Sequence, residues 1–204
     1  MPYHIYAQWM RQNIFDKVEN PNILEIGVDV GQTLLPIMNY FTLFRKQFSY
    51  TGLDIRKDEN LSEILAQMMI MQGQNIRYEI ANSLEWMPKC ESQFDLILID
   101  GDHNYHTVYE ELKHIDRLLS IGGSVICDDY EGRWAEKDLY YATRDTHKDV
   151  SIATKPEGFH VWNQQHIENK KGVKNAIDDF IKENDNWVMS QPIKSEAVLL
   201  QRKI

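Results

Sequence analysis

A chain of 204 residues with 43% hydrophobic and 26% charged content has the make-up of one ordinary globular domain, large enough to bury a core without metals or disulfides. The net charge of -9 and pI near 5.2 count against binding a nucleic-acid backbone, which needs clustered Lys and Arg. Two cysteines, Cys90 and Cys127, far apart and without metal-ligand spacing, fit a reducing compartment. The N-terminus lacks a signal-peptide pattern and no stretch has the length to span a bilayer, so a cytoplasmic protein is expected.

In chain order, Tyr6, Met10, Ile14 and Val18 recur every fourth residue and predict an N-terminal helix within residues 1–20, packed on a sheet. "NILEIGV" then reads as a first buried strand, and Gln32 to Phe48 as an amphipathic helix. "YTGLDI" predicts a second strand, Leu61 to Met71 a helix, and "IRYEI" a third strand. "FDLILID" and "SVICDD" are apolar on both alternating faces, the pattern of parallel strands covered by helices on each side. Between them Val108, Leu112, Ile115 and Leu119 mark a helix from Tyr105 to Leu119. Residues 131–171 break the rhythm and form a candidate acceptor lid, with Tyr130, Arg133, Trp134, Tyr140, Tyr141, Phe159, His160 and Trp162 as its aromatic and basic surface or as a small secondary core. "WVMSQPI" and "AVLLQRK" close the chain as an antiparallel hairpin. The predicted fold is one α/β domain: a Rossmann-like, seven-stranded, mostly parallel sheet with a C-terminal antiparallel hairpin and helices on both faces.

The loop after the first strand, "ILEIGVDVGQT", carries Gly27 and Gly31 where open parallel sheets bind nucleotide cofactors, but it has G-x-x-x-G with Asp29 inside instead of G-x-G-x-x-G. A carboxylate about 4 Å from a pyrophosphate costs on the order of 1–4 kcal/mol under surface-like screening. S-adenosylmethionine has no phosphate and carries a sulfonium and an ammonium, so Glu25 and Asp29 suit it. Asp54, 23 residues after Gly31 at the end of the second strand, is placed to accept two ribose hydroxyls. Asn82 and Ser83 follow the third strand, where the loop would pass adenine. Taken singly, each of these residues also reads as a strand cap or a turn.

The fourth strand ends in Asp100 and Asp102, two apart, so that an extended chain aims both carboxylates to one side, and the next ends in Asp128 and Asp129. Four such acids together require protons or a cation, and oxygen ligands favour Mg2+, Mn2+ or Ca2+. The plainer alternative makes Asp102 or Asn104 a helix cap and the Asp pair a turn. His103 and His106 compete with Asp102 as general base, with His103 ranked second.

The motifs "LEIGVDVG", "GLDI", "IDGDHNY" and "GGSVICDDY" resemble those of class I S-adenosylmethionine-dependent methyltransferases across roughly Ile23 to Tyr130. The last two, with "GVKNAIDDFIKEN", are similar to the metal-dependent sugar O-methyltransferases related to macrocin O-methyltransferase. The resemblance implies that Glu25, Gly27 and Gly31 hold the methionine end of the cofactor and Asp54 its ribose. It further implies that Asp100, Asp128 and Asp129 bind Mg2+ (or Mn2+), with Asp100 also lining the cofactor site and Asp102 as base. The expected reaction is methyl transfer from S-adenosyl-L-methionine to a hydroxyl of a sugar or glycan. The rivals are a catechol, another small-molecule hydroxyl or an amine as acceptor, a nucleotide-binding oxidoreductase, and a noncatalytic binding module. No nucleic-acid or membrane partner is expected, and homo-oligomerisation is left open.

Overall fold

The computed structural model describes residues 8–72, 74–132, 134–140, 165–167, 171–190 and 196–203. Nine strands are described: β1 Asn22–Ile26, β2 Ser49–Asp54, β3 Asn75–Ile80, β4 Phe94–Ile99, β5 Leu119–Cys127, β6 Asp138–Tyr140, β7 Gln165–Ile167, β8 Trp187–Ser190 and β9 Val198–Arg202. Seven of them form one sheet in the order β3-β2-β1-β4-β5-β9-β8, while β6 and β7 pair separately. β1 through β5 are mutually parallel, and β9 runs antiparallel to both β5 and β8. The predicted parallel sheet with its C-terminal antiparallel pair is therefore present.

Alternate residues of the central strands feed two separate cores, as a sheet covered on both faces requires. Leu24, Ile26, Leu53, Ile97, Ile99 and Val125 pack with the apolar stripe of α5 (Tyr105–Leu118) and with α6 (Val173–Glu183). Ile23, Tyr50, Ile76, Leu96, Leu98 and Ile126 pack against α1 (residues 8–15), α2 (Leu34–Leu43) and α3 (Glu59–Gln72). A one-residue slip of any central strand would exchange its two side-chain sets, so the register is strongly specified. Among the described residues no helix is long and apolar enough to cross a membrane.

Three boundaries differ from expectation. α1 closes with a π-helical turn over Arg11–Phe15, and its helical conformation stops there instead of running to residue 20. Val18 still packs against the core from the turn that follows. α2 ends at Leu43, short of Phe48, because the chain turns through Arg45 at φ 53°. β5 starts at Leu119, earlier than the apolar run suggested, since Leu119 already pairs with Phe94 before a register shift. The lid predicted over 131–171 lies largely outside the described residues, including Arg133, Tyr141, Phe159, His160 and Trp162, and the hairpin turn at 191–195 lies outside them as well.

The sheet order reverses between β1 and β4, and there the two strand ends touch. The Asp100 amide donates to the Ile26 carbonyl (2.9 Å) and the Gly27 amide to the Leu53 carbonyl (2.9 Å). Gly27 adopts φ 88°, and a Cβ on it would overlap the Asp100 carbonyl oxygen and the Gly101 Cα. Only glycine satisfies both the dihedral and the contact. Gly27→Ala is expected to cost about 3 kcal/mol or more, or to prevent folding, in urea denaturation. A change below about 1 kcal/mol would show that the crossing adapts and that Gly27 is not a steric requirement.

Candidate active site

The carboxyl ends of β1, β2, β4 and β5 gather acidic side chains around the Gly27 crossing. Glu25 is 2% exposed and accepts a 2.5 Å hydrogen bond from the Tyr50 hydroxyl on the neighbouring strand. Burial pushes its carboxyl up to about 8, against the pull of the Tyr50 bond and with the charge of Asp54 adding to the rise. Gly52, opposite Glu25 in the register, makes room for this pair, because a Cβ there would sit 3.0 Å from the Tyr50 hydroxyl. The strand pattern "YTGLDI" marks Tyr50 only as part of a strand. The available signal was a tyrosine two residues before the glycine that lies beside Glu25.

Asp54 is held by the backbone. Oδ2 accepts from the Asp29 amide (2.8 Å) and Oδ1 from the Arg56 amide (2.8 Å). Asp29 stands at φ 46°, and its carboxylate lies 3.6 Å from the Arg56 guanidinium. Arg56 therefore offsets part of the charge that was expected to repel phosphate, and Asp29 has the further task of fixing Asp54. Gly31, at φ 79°, packs against Leu61.

Asn82 caps the short helix α4 (Ser83–Trp86) by accepting from the Leu84 amide (3.0 Å). The Ser83 hydroxyl is engaged elsewhere: it donates to Oε1 of Glu111 on α5 at 2.5 Å. The Ser83 hydroxyl hydrogen is thus committed to Glu111, which leaves its oxygen lone pairs and its backbone for any contact to an adenine. Glu111 is fully buried, its Oε2 has no hydrogen-bond partner among the described residues, and burial pushes its carboxyl up to about 8 despite the Ser83 bond, with Asp102 adding to the rise. Sequence reasoning passed over Glu111, although an acid three residues after Val108 and next to Leu112 falls on the buried stripe of α5.

At the ends of β4 and β5, Asp100 is hydrogen-bonded to Asp128. Burial first, then the charges of Asp128, Glu25 and Asp129, hold its carboxyl well above the usual range. Asp129, 5% exposed and at φ 56°, places Oδ2 3.2 Å from Nδ1 of His103. The His103 ring stacks on the Trp134 indole, with centroids 5.4 Å apart and planes 6° from parallel. The extended chain from which Asp100 and Asp102 are expected to share one side is not present beyond Ile99: β4 ends there and the chain bends at Gly101, so strand alternation no longer applies. Asp102 accepts instead from the Thr107 hydroxyl (2.6 Å). Asn104, as the plainer reading had it, caps α5 through the His106 amide (2.9 Å).

Two tyrosines brace these loops against α6. The Tyr105 hydroxyl donates to Asp179 (2.7 Å) and the Tyr130 hydroxyl to Asp178 (2.7 Å), which gives the acids of "GVKNAIDDFIKEN" a structural task.

The donor chemistry fits the ligands expected of such a site. A crowd of acids with raised proton affinity suits a cationic cofactor and a divalent ion better than a pyrophosphate.

Residues 24–130, just over half of the chain, match the family described as "Methyltransferase domain". No curated protein matches by sequence. Among solved structures, the chain is similar to an S-adenosylhomocysteine-bound methyltransferase, PaMTH1, of Podospora anserina, with a TM-score of 0.61 and 19% identity over 98% of this chain and 78% of the other. It is similar to CalS11, a TDP-rhamnose 3'-O-methyltransferase of calicheamicin biosynthesis, at TM-score 0.51 and 16% identity over 64% of each chain, a little under two thirds. MycE, a methyltransferase of the mycinamycin pathway in complex with Mg and S-adenosylhomocysteine, gives TM-score 0.58 and 15% identity over 97% of this chain and 48% of its own. Bacterial rRNA methylases share the fold too. At such identities the likeness establishes the fold.

Glu111 makes a testable contribution to stability. Its folded carboxyl titrates at about 8, above its ordinary 4.5, so the folded state binds the extra proton and stability falls as pH rises between these values. Glu111→Gln, which mimics the neutral acid, should flatten that decline by roughly 2–4 kcal/mol across the window, leaving the part that comes from Glu25 and Asp100. Denaturant melts of both proteins from pH 5 to 9 check this, and parallel curves would contradict it.

Proposed function

Because the chain belongs to the methyltransferase domain family and is an S-adenosylmethionine-dependent methyltransferase, we propose that its acceptor is a hydroxyl of a sugar or glycan and that a divalent cation assists the transfer. The observation that carries this reading is the meeting of Asp100, Asp128, Asp129 and His103 at two adjacent strand ends, beside the Gly27 crossing. S-adenosylmethionine supplies an electrophilic methyl group, and a divalent cation lowers the pKa of a hydroxyl and fixes its position.

In this reading Asp54 receives the ribose hydroxyls. Each of its oxygens already takes one backbone N–H, and each keeps a second lone pair for a hydroxyl. Gly27 and Gly31 let the backbone approach the methionine end, above the buried Glu25, and Asn82 stands on the adenine side. The acids after β4 and β5 hold the cation, and two vicinal acceptor hydroxyls match its remaining positions. Asp102 is the base that takes the hydroxyl proton, with the Thr107 hydroxyl steadying its Oδ2.

CalS11 acts on a TDP-sugar and MycE holds Mg, which supports the same reading. An rRNA acceptor is disfavoured by the net charge of -9. The free, widely separated cysteines suit a cytoplasmic enzyme.

The test is methyl transfer from labelled S-adenosylmethionine to a panel of glycosides with vicinal diols, catechols and amines, with and without EDTA. Transfer to a diol glycoside is expected, abolished by EDTA and reduced about 100-fold or more in Asp129→Asn, with S-adenosylhomocysteine affinity changed only a few-fold. EDTA-insensitive transfer would remove the metal from the account, and transfer confined to catechols or amines would overturn the acceptor.

A further inference from the structure

We propose that Asp29 and Arg56 are a pair of positioning residues for the cofactor, joined side chain to side chain across Asp54 so that its carboxylate is held ready for the ribose diol. This rests on the reading of Asp54 as the ribose ligand and adds the two residues that set its geometry.

The contacts close a ring. Asp54 Oδ2 accepts from the Asp29 amide and Oδ1 from the Arg56 amide, both at 2.8 Å. The Asp29 carboxylate meets the Arg56 guanidinium at 3.6 Å. The two residues that donate to Asp54 come from the loops after β1 and β2, and the ion pair ties those loops to each other as well as to the carboxylate between them.

Each loop is anchored on its own side. Asp29 lies in the turn closed by the Gly31 amide on the Val28 carbonyl (2.8 Å), and its φ of 46° belongs to a region that Asp and Asn enter more readily than most residues with a side chain. The Arg56 carbonyl accepts from the Tyr78 hydroxyl on β3 (3.0 Å), which in turn accepts from the Asp58 amide (3.4 Å). Asp58 caps α3 through the Leu61 amide (2.7 Å). The Asp29–Arg56 pair joins these two anchored turns.

A carboxylate that takes two hydroxyls on its remaining lone pairs binds them best when its rotation is already set, and the ring sets it. Both side chains of the pair are more than half exposed, so salt screens it and its contribution to affinity is modest, roughly 2–5-fold. A direct charge effect on the ligand has a different signature. Removing the acid and removing the base would then shift affinity in opposite directions, whereas loss of either member of a positioning pair weakens binding.

The experiment measures S-adenosylhomocysteine affinity of the full chain by calorimetry, at low salt and at about 0.5 M KCl. This ligand has no sulfonium, which keeps direct charge effects small. The proteins are wild type, Asp29→Asn, Arg56→Gln, the double variant, Arg56→Lys and Asp54→Asn. Asn and Gln keep both backbone amides, and Asn keeps the left-handed turn. Each single variant of the pair is expected to bind roughly 2–5-fold more weakly at low salt, with the double variant no weaker than either and Arg56→Lys recovering most of the affinity. At high salt the gap to wild type should close. Opposite shifts in the two single variants, additive losses in the double, a gap that salt leaves open, or wild-type affinity in all of them would overturn the pairing. Asp54→Asn tests the reading beneath it. A loss of about tenfold or more is expected there, and unchanged affinity would overturn the ribose assignment, while a loss at Asp54 with none at Asp29 and Arg56 would overturn the pairing alone.

Discussion

Carboxyl groups crowded at the carboxyl edge of the sheet, some buried and some half-buried, are the constraint on which this structure turns. Glu25, Asp54, Asp100, Asp128 and Asp129 come from four strands that the parallel topology ends side by side. Two carboxylates about 4 Å apart repel by about 4 kcal/mol at an effective dielectric of 20, a sizeable share of the net stability of a domain. Protons can relieve this, and burial first, with neighbouring acids adding to it, raises the carboxyls of Glu25 and Asp100 in that direction. Positive ligands relieve it while doing chemistry. A sulfonium cofactor and a divalent cation are the ligands whose charges match.

The scaffold that holds these acids together is rigid where it must be. Gly27 and Asp100 meet backbone to backbone, so the cofactor turn and the acidic loop after β4 cannot move independently. Tyr50 fixes Glu25 from beneath, and the amides of Asp29 and Arg56 fix Asp54. On the other side, α6 grips Tyr105 and Tyr130, the residues that bound the two acidic loops. The loops are thus tied to the packed core of α5 and α6, as precise positioning demands.

Much of this was legible in the sequence because strand ends announce themselves. Apolar runs that stop at glycine or aspartate located Gly27, Asp54, Asp100 and the Asp128–Asp129 pair, and parallel topology then brings such ends together. What depends on side-chain rotation was not legible. Period-two alternation does not apply to Asp102, because the strand ends at Ile99 and the chain bends at Gly101, and the hydrogen bond from Thr107 is invisible to it. That the Ser83 hydroxyl donates to a buried acid 28 residues away is invisible in the local pattern. His103 was weighed as a base, and only the three-dimensional neighbourhood sets it beside Asp129. The end of α1 was missed because a fourfold repeat of apolar residues does not register a π-helical turn.

The central claim is that this acidic edge selects a positively charged cofactor without phosphate. Titration calorimetry of the wild-type protein with S-adenosylmethionine and with NAD+, under identical salt and pH, tests it most directly. The account predicts binding of S-adenosylmethionine in the micromolar range and no measurable heat with NAD+. Comparable binding of both, or of NAD+ alone, would contradict it.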